Sequence, residues 1–115
     1  MENKFNVYVS TCKPYYPLIE IFAYLFNKFW DDTIKVIILG YEPYKKELPN
    51  NFKFVSMAPT QHSVSQWSTD IAKFMRSIDD EYVIFTPEDL LIYDKVDVNL
   101  FNKICKYLSI AFFIV

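Results

Sequence analysis

The chain has 115 residues, 52% of them apolar and 19% aromatic, with a single glycine and a formal net charge of −2. One domain fits that length, with a core that buries about two-thirds of the unfolded surface. So apolar a chain is not disordered, and so little glycine excludes phosphate loops of the Walker or dinucleotide type. An isoelectric point near 5.3 gives no electrostatic footprint for a phosphate backbone, which argues against nucleic acid as a partner.

Cys12 and Cys105 lie far apart with no Cys/His cluster around them, so the reading is two free thiols in a reducing cytoplasm. The start, M-E-N-K-F-N, lacks a signal pattern, and the apolar segments fall short of the roughly 20 residues a membrane span needs. A cytoplasmic protein without a transmembrane segment is expected.

Phe5 to Ser10 reads as a first strand, with Val7 and Val9 on one face, running into the polar turn Ser10-Thr11-Cys12-Lys13-Pro14. Pro17 suits a first helical turn, and Leu18, Ile21, Phe22, Leu25 and Phe29 recur at helical spacing until Asp31-Asp32-Thr33. Ile34 to Leu39 is a second strand, closed by Gly40, and strand-helix-strand implies a right-handed parallel crossover. Tyr41 to Asn51, with two prolines and Lys45-Lys46, is a surface connection. Phe52 to Met57 is a third strand, followed by a loop through His62.

Ser63 and Gln66 form a capping box for a helix whose stripe is Val64, Trp67, Ile71, Phe74, Met75 and Ile78. Asp79-Asp80-Glu81 reads as a solvated turn. Tyr82 to Thr86 is an uninterrupted apolar run, expected to be a strand buried on both faces and ended by Pro87. Leu90 to Tyr93 is an extended piece, and Asp97 caps a last helix with Val96 stapled to Phe101 and a stripe of Val98, Phe101, Ile104, Cys105 and Leu108. Ile110 to Val115 reads as a fifth strand, and a chain stopping on it suggests the N-terminal part of a larger domain.

In a parallel sheet the strand ends Ser10-Thr11, Gly40-Tyr41, Met57-Ala58 and Glu88-Asp89 share one edge, where α/β folds bind ligands. Adjacent carboxylates there suit Mg²⁺ or Mn²⁺, which take oxygen ligands. Thr86-Pro87-Glu88-Asp89 is also a good helix start, and from the motif alone that reading ranks ahead of a metal site. His62 reads as a surface residue, Cys12 as a small buried thiol and Trp67 as core.

The stretch from Trp67 through Tyr82 to Phe85, Glu88-Asp89, Leu90-Leu91-Ile92 and Val96-Asp97 resembles the donor half of GT-A type glycosyltransferases that build cell-surface or capsular polysaccharides. The resemblance implies an α/β three-layer sandwich with a mainly parallel, Rossmann-like sheet. It also implies a nucleotide-diphosphate sugar as substrate and transfer of its sugar to a glycan acceptor. Asp89 and then Glu88 would hold Mg²⁺ or Mn²⁺. Ser10 and Thr11 would lie against the nucleoside, with Tyr15 and Asp70 as further contacts. The pair is P-E-D rather than a full D-x-D, and no residue stands out as a catalytic base. The competing expectation is a non-catalytic α/β interaction module that forms homo-oligomers through its C-terminal strand.

Overall fold

The computed structural model describes residues 5–61 and 63–110, the last three by their backbone alone. The fifth strand read from the C-terminal run therefore lies outside the described residues, except that Ile110 closes a helix instead. His62 lies outside them too. The elements are β1 (Phe5–Ser10), a 3₁₀ turn (Lys13–Tyr15), α1 (Pro17–Phe29), β2 (Val36–Gly40), β3 (Phe52–Ser56), α2 (Val64–Ser77), β4 (Tyr82–Pro87) and α3 (Val98–Ile110).

The four strands form one all-parallel sheet in the order β3-β2-β1-β4. The chain therefore moves outward from β1 to β3 and then returns across the sheet to place β4 on the other side of β1. Connections of one hand that run in opposite directions must cross on opposite faces. Accordingly, α1 packs on the face of Val7, Val9, Val36, Ile38 and Phe52, burying Ile19, Phe22, Ala23 and Phe26. The opposite face presents Tyr8, which meets Phe74 of α2 edge-on at 5.8 Å, and Phe85, which meets Trp67 at 6.3 Å. The first helix of the chain and the second thus sandwich the sheet. The third lies on the α1 side, where Phe101 packs edge-on against Phe5 and Trp30 at 4.9 and 5.1 Å.

The buried stripe of α1 differs from the one its spacing suggests: Ile21 is exposed, and Leu18 and Leu25 are half-buried. Helix α1 carries apolar residues nearly all round, so packing and not periodicity selects the face. In α2, Ser63 accepts a bond from the Gln66 N–H at 3.3 Å, as an N-cap should, while Val64 is exposed and Trp67 half-buried. Asp97 caps α3 through the Leu100 N–H at 2.9 Å.

Three other expectations are corrected. Strand β4 is not buried on both faces; among the described strands it lies at the edge, with Val83 and Phe85 about two-fifths exposed. Pro87 is its last residue, paired with Ser10, which an edge tolerates because no N–H is needed on the open side. Glu88 and Asp89 do not start a helix: they form a turn, and residues 90–97 then run without helix to α3, with Leu91 and Ile92 packed on the core and the Val96 N–H bonded to the Phe29 carbonyl at 2.9 Å. Finally, Asp80 is not merely solvated. Its Oδ2 accepts from Asn6 Nδ2 at 2.8 Å and from the Tyr8 hydroxyl at 2.6 Å, tying the entry of β4 to β1.

Candidate functional site

The strand order turns at β1, with β2 and β3 to one side of it and β4 to the other, while the chain leaves both β1 and β4 on the α1 face. Open α/β sheets bind ligands outside the carboxyl ends of their strands. Here the residues following β1 and β4 are Thr11-Cys12 and Glu88-Asp89, brought side by side by the pairing of Ser10 with Pro87.

The turn after β1 is held from the opposite side by β2. The Thr11 N–H donates to the Leu39 carbonyl at 2.9 Å, and the chain then winds into the 3₁₀ turn, whose Tyr15 N–H donates to the Cys12 carbonyl at 2.9 Å. Ser10 and Thr11 are buried, at 6% and 4% exposure. The Thr11 hydroxyl reaches the Cys12 carbonyl at 3.5 Å and bonds the Glu88 carboxyl, so the two turns are tied to each other.

The acidic pair is split by its environment. Glu88 is only 7% exposed, whereas Asp89 is open to solvent. Burial pushes the Glu88 carboxyl above its ordinary range and the charge of Asp89 adds to this; the Glu88 backbone N–H and the Thr11 hydroxyl pull the other way. The Cys12 thiol is also raised, first by burial and then by the negative charge of Glu88. Both effects disfavour the thiolate and make Cys12 a poor nucleophile at neutral pH.

The remaining sequence candidates lie on neighbouring elements of the same sheet edge. Tyr15, on the 3₁₀ turn, is half exposed at 53%. Asp70, on α2, accepts a hydrogen bond at 2.8 Å from the hydroxyl of Tyr41, the buried residue that follows β2. This bond and burial hold the Tyr41 hydroxyl firmly protonated. Asp70 therefore has a structural partner at the same edge of the sheet. Tyr41 was placed at this edge by the sequence, but its bond to Asp70 was not legible because the partners lie 29 positions apart.

Among the described residues no group of three or more His, Cys, Asp or Glu could hold a metal ion. Glu88 and Asp89 are adjacent carboxylates at this edge, which also carries Glu42, paired with Lys13, and Asp70, bonded to Tyr41. Among the described residues no helix is long and apolar enough to cross a membrane. The chain matches no protein-family model and no curated protein.

Proposed function

We propose that this chain is the donor-binding part of a GT-A type glycosyltransferase, which binds a nucleotide-diphosphate sugar with Mg²⁺ or Mn²⁺ and passes the sugar to an acceptor hydroxyl of a glycan. One observation carries the reading: an acidic turn, Glu88-Asp89, lies against the buried Ser10-Thr11 turn at the carboxyl edge of a parallel sheet. The resemblance of the segment from Trp67 to Asp97 supports it from the sequence side.

In this reading the exposed Asp89 is the first metal ligand, and the cation offsets the cost of ionising the buried Glu88 beside it. The metal supplies electrostatic stabilisation of the nucleoside diphosphate as it departs. Thr11 and Ser10 position the donor, and Asp70 acts by holding Tyr41 at the end of β2.

Calorimetric titration with uridine, guanosine and cytidine diphosphates, each with Mn²⁺ and with EDTA, tests the proposal. The expected result is that Mn²⁺ strengthens binding of one nucleotide, and that Asp89→Ala weakens the metal-supported binding on the order of tenfold, the scale of one lost charge-assisted contact. If Mn²⁺ makes no difference to any of the three, the donor-site reading fails.

A further inference from the structure

We infer that a cavity on the same edge of the sheet, between the 3₁₀ turn and the β2–β3 connection, binds a small phosphorylated ring compound without a metal. This cavity has a volume of about 450 Å³, within the range of roughly 300–1,000 Å³ common for small-molecule sites. Its walls are the rings of Tyr16, Pro17, Pro43 and Tyr44, and Lys13, Lys45 and Lys46 stand around it. The acidic turn contributes nothing to it, so the inference is independent of the proposed donor site.

The apolar walls are already in place. Tyr16 meets Tyr44 edge-on at 5.7 Å and Phe54 at 5.9 Å, and Tyr44 stacks on Phe54 at 6.4 Å. The Tyr16 hydroxyl donates to the Glu42 carbonyl, which clamps the connection onto the 3₁₀ turn. Two prolines with fixed φ stiffen the opposing walls. A ring compound resting against such preformed walls gains burial with little ordering cost.

The charge around the cavity points to an anion. Lysines from two separate segments of a net-negative chain converge on one apolar hollow, which a merely solvated loop does not require. Lys13 pairs with Glu42 at 2.6 Å and Lys46 lies 3.9 Å from Glu20, while Lys45 takes part in neither pair. Both pairs are exposed and hence weak, so a doubly charged phosphoryl group competes with the glutamates for these ammonium groups. Three ammonium groups stand against two carboxylates, Glu42 in the lining and Glu20 beside Lys46, so the cavity keeps a net positive charge toward a phosphoryl group without a cation.

The test is a titration of isotopically labelled chain with phenyl phosphate in EDTA, followed by amide chemical shifts, with inorganic phosphate and phenol as the two half-ligands. The expected result is saturable shifts at Lys13, Tyr44, Lys45 and Lys46, with phenyl phosphate tighter than either half. The double variant Lys45→Ala/Lys46→Ala, both positions exposed, weakens binding about tenfold, and Asp89→Ala leaves it unchanged. Absence of saturable shifts, unchanged affinity in the double variant, or inorganic phosphate binding as tightly as phenyl phosphate would each overturn the inference.

Discussion

Asp80 gathers the Asn6 amide and the Tyr8 hydroxyl onto one carboxylate oxygen, 2.8 and 2.6 Å away, and Tyr8 is only 3% exposed. Removing the carboxylate leaves two donors without an acceptor, one of them fully buried. Asp80→Ala should therefore destabilise the fold by about 1–3 kcal/mol, with Asp80→Asn closer to the parent, as read from urea denaturation. Burial, reinforced by the bond to Asp80, pushes the Tyr8 hydroxyl from its ordinary 10.0 up to about 12. A folded-state value above the unfolded one means a contribution present below pH 10 and lost as pH rises toward about 12. Tyr8→Phe should thus start less stable at pH 8 and show a shallower loss of stability over that alkaline window than the parent. Denaturation midpoints at pH 8, 10 and 11 decide it, and equal slopes would mean that Tyr8 does not govern the alkaline limb.

At the scale of elements, Gly40 shows how one residue type shapes the end of a strand. It closes β2 without a positive φ, so the glycine is not there for backbone freedom. The reason is space. A Cβ at this position would sit 2.9 Å from the Phe54 ring and 3.2 Å from the Tyr16 hydroxyl. Its absence lets those rings close over the strand end, where Tyr16 also lines the lysine-ringed cavity. Gly40→Ala should cost about 1–3 kcal/mol by overpacking, measurable as a lowered denaturation midpoint, and should disturb the resonances of Tyr16 and Tyr44. An alanine variant of parental stability would show that the Phe54 ring can move aside.

Over the whole molecule, burial is uneven. The fully buried apolar side chains run from Val7 to Phe52, on β1, α1, β2 and the start of β3. From β4 onward the described apolar residues are at best half-buried: Val83 and Phe85 on the edge strand of the described sheet, and Leu100, Ile104 and Tyr107 along one face of α3, are 40–70% exposed. An apolar edge strand without charge or bulge is a template for pairing, and a contiguous apolar helix face favours association. Concentration-dependent self-association is the expected outcome in light scattering, and Phe85→Lys should reduce it. A parent protein that stays monomeric at high concentration would show that these surfaces are tolerated in water.

What could be read from the residues alone was local: eight-residue-scale periodicity, the Ser63 and Asp97 caps, and a parallel strand-helix-strand start all describe interactions within a few positions of one another. What the tertiary structure decided depends on sequence-distant partners. Thr86-Pro87-Glu88-Asp89 carries every local signal of a helix start, yet the ladder between Pro87 and Ser10 keeps the backbone extended and leaves the acids in a turn. The unbroken apolar run of β4 looks central, but the return across β1 puts it at the edge of the described strands, where an uninterrupted pattern is no guide to cover. Asp70 and Asp80 acquire roles from Tyr41 and Tyr8, 29 and 72 positions away. Glu88 is buried while Asp89 is exposed, and the burial of Glu88 beside the Thr11 turn follows from the pairing of β4 with β1, which no window of adjacent residues contains.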